Sequence, residues 1–216
     1  MRCAAIIVAA GSSRRMGFDK LAAEIRGSSV LRRSVDAFMA TEGITRVIVV
    51  APEDRFASLG SDFPKPLLRM DGGKERQNSV ENGLSLVMEE LVAVHDGARP
   101  LVKPETIAAC ILAAREHGAA TLARQVTETI KRSDADAFSR ESVSRENLWF
   151  METPQIFRSD LLREAYAEVS KRELVVTDEV SAVETIGIPV KLIASPSPNL
   201  KITVPADIEL AEALLK

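Results

Sequence analysis

Cys3-Ala4-Ala5-Ile6-Ile7-Val8-Ala9-Ala10 runs directly into Gly11-Ser12-Ser13-Arg14-Arg15-Met16-Gly17-Phe18-Asp19-Lys20. The first eight residues are a short apolar run, the pattern of a strand buried on both faces. The run breaks at small residues and then turns basic at Arg14-Arg15. A buried strand that opens into a small-residue loop and a cation cluster builds a phosphate site: backbone N–H groups approach the oxygens and the cations neutralise them. Two familiar phosphate loops are excluded by spacing. A Walker A loop needs Gly-x4-Gly-Lys-Ser/Thr, whereas Gly11 is followed by glycine only at Gly17 and Phe18 fills the lysine slot. No G-x-G-x-x-G follows the strand either, so the dinucleotide fingerprint is missing.

Strand-like and helix-like patterns alternate downstream. Residues 30–39 carry Val30, Leu31, Val35, Phe38 and Met39 at helical spacing, with Gly43 as the expected cap. Residues 46–51 are a second β-branched run, closed by Pro52, and a weaker strand at 67–70 ends in Asp71-Gly72-Gly73. Residues 75–91 place Val80, Leu84, Val87, Met88 and Leu91 on one helical face. Residues 91–95 read as a strand whose exit loop is Asp96-Gly97-Ala98-Arg99-Pro100. Pro104 suits the first turn of a helix that runs to His117, with Gly118 past its end.

This alternation predicts an α/β three-layer sandwich with a mostly parallel sheet. Ligands in such folds bind at the carboxyl ends of the strands. Three polar, glycine-containing loops stand at that edge: residues 11–20, 71–76 and 96–99.

Residues 124–150 interrupt the pattern. Gln125-Val126-Thr127-Glu128-Thr129-Ile130-Lys131-Arg132 roughly alternates, Ser133-Asp134-Ala135-Asp136 is turn-like, and residues 142–150 can pair back. The expected structure is a projecting β-arm. A lone two-stranded hairpin is marginal in water, so the arm should find a partner, most simply a second copy of the chain. Beyond it the sequence predicts a helix at 159–171, a Thr177-capped helix ending at Gly187, a strand at 189–194 and a final helix from Pro205.

With 216 residues, one domain with the arm at about 124–150 is expected. Lys and Arg number 28 against 31 Asp and Glu, a net charge of −3, which argues against a nucleic-acid binder. Cys3 and Cys110 lie in apolar runs without ligand spacing and read as reduced core residues. No stretch approaches the ~20 apolar residues of a membrane span and no secretory leader pattern is present. The expectation is a soluble, cytoplasmic protein.

Read alone, Asp96 is either a Mg2+ partner or a turn-forming aspartate before glycine, and Asp71 is a turn residue. Arg76 either pairs on the surface with Glu75 or Asp71 or touches ligand. His95, His117 and Trp149 read as strand-end core, helix C-terminal cation and arm packing.

With these loops in order the chain resembles the 2-C-methyl-D-erythritol 4-phosphate cytidylyltransferase family. The resemblance is carried by residues 9–17 with Lys20, by Asp71-Gly72-Gly73 through Arg76 to Ser79-Val80, and by His95-Asp96-Gly97-Ala98-Arg99-Pro100. Thr129-Ile130-Lys131, Thr153-Pro154-Gln155, Thr177-Asp178-Glu179 and Asn199-Leu200-Lys201-Ile202-Thr203 follow in family order, so the likeness covers nearly the whole chain. The opening motif alone is shared by many nucleotidyltransferases. One departure is Asp19-Lys20-Leu21, which stands where family members usually carry Pro-Lys-Gln.

The resemblance implies a nucleotidyltransferase-like Rossmann variant that uses CTP and Mg2+, releases pyrophosphate and forms a homodimer through its β-arm. It implies catalytic roles for Arg15, Lys20, Arg145 and Lys201, and nucleotide contacts at Ala9, Ala10, Gly11, Gly72, Gly73, Ser79, Asp96 and Gly97. It further implies polyol-phosphate contacts at Arg99, Thr129, Arg145, Thr153, Thr177 and Lys201, with Asp96 toward the metal. Arg145 and Thr129, being on the arm, are implied to serve the neighbouring copy. Two other functions stay open at this point. A ribitol-5-phosphate cytidylyltransferase shares the fold and most loops, although the small residues after Asp96 resemble the erythritol enzymes more. A non-catalytic nucleotide-binding regulator is the other, against which the pairing of Arg15 with Lys20 speaks.

Overall fold

Period-two alternation in the first strand, β1 (Cys3–Val8), sends Cys3, Ala5 and Ile7 into one core and Ala4 and Ile6 into another. A strand buried on both faces requires helices above and below it. The computed structural model, which describes residues 2–11 and 17–215, has that three-layer form.

After β1 come a short hairpin, β2 (Glu24–Ile25) with β3 (Ser28–Ser29), and helix α1 (Val30–Ala40). The Ser29 hydroxyl accepts from the Arg32 N–H at 3.1 Å and caps α1. Strand β4 (Ile44–Val50), the short helix α2 (Glu53–Ala57) and strand β5 (Leu67–Met70) follow. Next are α3 (Arg76–Leu84), β6 (Leu91–Asp96) and α4 (Pro104–His117), and then β7 (Ala119–Gln125). The arm is β8 (Ile130–Ser133) paired antiparallel with β9 (Ser139–Val143). Strand β10 (Trp149–Arg158), α5 (Ser159–Lys171), α6 (Glu179–Glu184), β11 (Lys191–Ala194) and α7 (Ala206–Leu214) complete the chain.

The main sheet has seven strands in the order β11-β7-β10-β6-β1-β4-β5. All neighbours pair parallel except β10, which runs antiparallel between β6 and β7. The expected mostly parallel sheet is therefore observed. One core packs Val35 and Phe38 of α1, Ile107 and Cys110 of α4 and Ala211 of α7 against the sheet. The opposite core packs Val80 of α3, Leu162 and Tyr166 of α5, and Val180 and Val183 of α6. Each fully buried Ile, Leu or Phe there contributes about 1.5–3 kcal/mol of apolar burial. Cys3 and Cys110 are unbridged and buried, and burial pushes both thiols up, Cys110 to about 12.

Local signals placed α4 well: Pro104 is its first residue and Gly118, at φ +83°, caps its end in the left-handed region. Other expectations need correction. The helix expected over 75–91 stops at Leu84, because Leu91 already belongs to β6 and the chain must turn back to enter the sheet. Met88, read as a core position, is 84% exposed. Helix α1 is capped by Thr41, with Gly43 in the turn before β4. Asp178, not Thr177, caps α6, since its carboxylate accepts from the Ser181 N–H at 3.0 Å. Strands β7 and β10 carry no strong period-two signal: the middle of β10 buries Glu152, Thr153 and Gln155, so both its faces contain polar residues.

Candidate functional site

The carboxyl edge of β6 is the centre of the site. His95 and Asp96 are buried at the strand end, and the Gly97 N–H donates to the Val8 carbonyl at 3.0 Å, joining this loop to the exit of β1. The Asp96 N–H donates to Thr153 Oγ1 (3.1 Å), and Thr153 Oγ1 lies 2.9 Å from His95 Nδ1. The Arg99 carbonyl, 3.3 Å from His95 Nε2, can only accept, so neutral His95 carries its proton on Nε2 and the Thr153 hydroxyl donates to Nδ1. Thr153, expected among the polyol-phosphate contacts, has its hydroxyl committed to the strand end.

Burial pushes the His95 pKa down to about 3; Asp96 beside it opposes that shift and Arg99 adds to it. The unfolded chain takes up this proton near pH 6.5, while the folded chain refuses it until about pH 3. Stability is thus fully present above pH 6.5 and falls as pH drops toward 3. About 2 kcal/mol should be lost between pH 6.5 and 5 from this group alone. Thermal melts at pH 7.5 and 5 check this: wild type should melt earlier at pH 5, and His95→Asn should flatten the slope. A melting temperature independent of pH over that range contradicts it.

Three cations surround the Asp96 carboxylate. Lys201 Nζ is 2.7 Å from Oδ2, Arg76 Nη2 is 3.2 Å from Oδ1, and Arg99 Nε is 3.6 Å from Oδ2. Burial alone raises the pKa of such a carboxyl, but Arg76, Lys201 and Arg99 overcome it and hold Asp96 below the usual carboxylate range. Arg76 reaches further, with Nη1 and Nη2 donating to Glu179 Oε1 (2.6 Å) and Oε2 (3.0 Å). Of the two readings open for Arg76, surface pairing with Glu75 or Asp71 does not occur; Arg69 takes Asp71 instead. Removing one partner from a buried pair of this kind costs about 3–5 kcal/mol, whereas an exposed pair such as Arg132 with Glu141 is worth about 0–1 kcal/mol.

Lys201 is delivered by the 199–203 segment, which is tied down along its length. The Ile202 N–H donates to the Ala98 carbonyl (2.8 Å), Asn199 Nδ2 to the Thr153 carbonyl (2.8 Å), and Arg99 Nη1 to the Asn199 carbonyl (2.7 Å). Lys20 Nζ donates to the Ile202 carbonyl at 2.8 Å, so the basic opening loop and the Lys201 segment meet. Arg55 of α2, which sequence reasoning missed, pairs with Asp19 and donates to the carbonyls of Ala9 and Gly11. Its signal was a lone arginine on a short helix, indistinguishable from a solvated one.

On the other side of β1, Gly72 and Gly73 cross over Ala10 and the start of α3. Ser79 Oγ accepts from the Gly73 N–H (3.0 Å) and donates to the Glu75 carbonyl (3.2 Å), locking this loop. A cavity of about 380 Å³ opens beside Asp96, lined by Arg76, Arg99, Thr153, Thr177 and Lys201. A wider groove of about 750 Å³ shares Arg99 and Lys201 and extends past Phe150 and Pro196 to α7.

The structure thus gathers Asp96, Arg99, Thr153, Thr177 and Lys201 around one cavity, while Ala9, Ala10, Gly72, Gly73 and Ser79 form a neighbouring platform. Thr129 and Arg145 are exposed on the arm, where Arg145 donates to the Thr127 carbonyl, and neither lines that cavity. Arg15 lies outside the described residues. Among the described residues no group of three or more His, Cys, Asp and Glu is gathered for a metal. Asp96 offers one carboxylate, which suits Mg2+ only when substrate phosphates supply most of the remaining oxygens.

The model of the family described as 2-C-methyl-D-erythritol 4-phosphate cytidylyltransferase matches residues 3–216. The chain belongs to this family. The cytidylyltransferase of that name from Geobacillus kaustophilus is 40% identical, over 100% of this chain and 97% of that protein. Its counterpart from Pelotomaculum thermopropionicum is 39% identical, over 100% of this chain and 94% of that protein. Among solved structures, the Thermus thermophilus cytidylyltransferase superposes with a TM-score of 0.83 at 33% identity, over 99% of this chain and 98% of the other. A 4-diphosphocytidyl-2C-methyl-D-erythritol synthase from Anaerococcus prevotii gives a TM-score of 0.87 at 29% identity, over 99% and 96%. The cytidylyltransferase family assignment thus rests on whole-chain likeness as well as on the loops.

Proposed function

We propose that the chain joins CTP and 2-C-methyl-D-erythritol 4-phosphate, giving 4-diphosphocytidyl-2-C-methyl-D-erythritol and pyrophosphate for isoprenoid precursor synthesis. The observation that carries this reading is the family match over residues 3–216, and the cation-ringed cavity at Asp96 agrees with it. Neither a ribitol-phosphate enzyme nor a non-catalytic regulator is favoured by that match.

An acceptor phosphate oxygen attacks the α-phosphorus of CTP; the new P–O bond forms as the bond to the pyrophosphate oxygen breaks. The nucleophile is already ionised, so no general base is needed, and the protein's task is alignment and charge stabilisation. Lys201 and Arg99 would hold the acceptor phosphate, a point charge and a planar fork respectively. Lys20, with Arg15, would stabilise charge on the α-phosphate and the leaving group. The Gly72–Gly73 backbone and Ser79 would take the nucleoside. Mg2+, when bound, would neutralise and orient the triphosphate oxygens, with Asp96 as its protein ligand. With Asp96 serving the metal, Lys201, now 2.7 Å from its carboxylate, would be available to the acceptor phosphate. The arm, through Thr129 and Arg145, would complete the site of a second copy in a homodimer.

A coupled pyrophosphate assay tests the reading. CTP with methylerythritol phosphate should turn over, UTP and ATP should be poor donors, and chelation should stop release until Mg2+ is restored. Faster turnover of ribitol 5-phosphate, or CTP binding without any turnover, overturns it.

A further inference from the structure

Arg76 is the first residue of α3, the helix that also carries Ser79. Its guanidinium spans two carboxylates from distant parts of the chain, Asp96 at the end of β6 and Glu179 at the start of α6. Both Glu179 oxygens are engaged by the fork, and Oε1 also accepts from the Tyr166 hydroxyl of α5 at 3.0 Å. The Glu179 side chain is completely buried. Its backbone is fixed as well: Gln155 Oε1 accepts from the N–H groups of Glu179 (3.0 Å) and Val180 (3.1 Å), while Gln155 Nε2 donates to Asp178 (2.9 Å). Arg76 is therefore held from behind by a rigid acid, while its Nε (3.4 Å) and Nη2 (3.2 Å) both donate to Asp96 Oδ1. Burial works against charge on Arg76, but Glu179 and Asp96 together hold it protonated, above the usual arginine range.

We propose that Arg76 and Glu179 are a positioning pair for the transfer reaction: Glu179 fixes the arginine fork, and the fork aims the Asp96 carboxylate into the acceptor cavity. The inference rests on the cytidylyl-transfer reading of this site. A lone carboxylate among three cations has several competing orientations, and a bidentate anchor on one side selects the rotamer that leaves Oδ2 toward Lys201. Neither residue needs to touch substrate for this role. The same anchor ties the helix of the nucleotide platform to the acceptor side, so its loss separates two effects that can be measured independently.

The test uses the full chain. Glu179→Gln keeps size but removes the charge that holds the fork. Its kcat with CTP and methylerythritol phosphate should fall at least about tenfold, because misalignment acts on the reacting geometry. Its Kd for CTP, measured by calorimetry without acceptor, should stay within about threefold. Arg76→Met should lose as much, and the double variant no more than the worse single one, since the pair acts as a unit. Where Glu179→Gln does not fold, Arg76→Lys takes its place: it keeps the charge but not the fork, and should show the same kcat loss. A folded variant with wild-type kcat overturns the proposal. So does a rise in CTP Kd that matches the kcat loss, which would make the pair only an anchor for α3, or additive losses in the double variant. Wild-type protein without pyrophosphate release defeats the function reading instead, and the two failures are distinct.

Discussion

Lys201→Ala is expected to raise KM for methylerythritol phosphate roughly 10- to 100-fold while CTP affinity stays within about threefold, the range for losing one charge-assisted contact. The ammonium sits at the wall shared by the cavity and the groove, with its side chain 41% exposed and therefore available to a ligand. Its removal acts twice in the same direction. On the proposed reading the acceptor phosphate loses a cation, and among the described residues Asp96 keeps Arg76 and Arg99 but not Lys201 beside its negative charge, so the cavity becomes less attractive to an anion. Lys201→Arg should restore part of the loss. Initial rates over both substrates, with calorimetry for CTP alone, separate the terms. Equal losses for both substrates would mean that Lys201 serves the nucleotide instead.

Gly72→Ala should strike the opposite side of the site. A Cβ at this position would lie 2.4 Å from the Ala10 Cβ and 3.5 Å from Ser79 Oγ. The first distance is far inside van der Waals contact, and Ala10 directly follows Ala9, whose N–H is bonded to the Val50 carbonyl at 2.9 Å. The 71–73 turn must therefore move away from the exit of β1. Overpacking of this kind costs about 1–3 kcal/mol of stability. The displaced turn also strains the Gly73 N–H bond to Ser79 Oγ, which fixes the loop proposed to take the nucleoside. CTP affinity should fall about tenfold or more, since alignment of backbone donors is lost, and the melting temperature should drop. Calorimetry and a thermal melt read the two effects. A folded Gly72→Ala protein that binds CTP as wild type does would remove this turn from the nucleotide site.

Gly72 stands out in the sequence because a Gly-Gly pair follows a strand, but nothing local says that its partner is Ala10. Lys201 gains its place through bonds to distant segments, among them Ile202 to Ala98, Arg99 to Asn199 and Asn199 to Thr153. Arg76 shows the difference most sharply. Nearby acids at positions 71 and 75 offered the obvious partners, yet the fork binds an acid 103 positions away. Helix α6 carries that acid, and its placement follows from β10 threading antiparallel between β6 and β7.

By itself the sequence determined the α/β layering, because buried-strand runs and capped helices are local patterns of apolar spacing, Pro and Gly. It also determined that the glycine-containing loops after β1, β5 and β6 share one edge, since a parallel sheet puts its strand exits together. Tertiary structure alone decided the reversed direction of β10, the burial of Glu179 and the ring of cations on Asp96. Those outcomes depend on which distant segments the crossovers bring together. A charged side chain reads as a solvated one until its partner arrives from elsewhere in the chain.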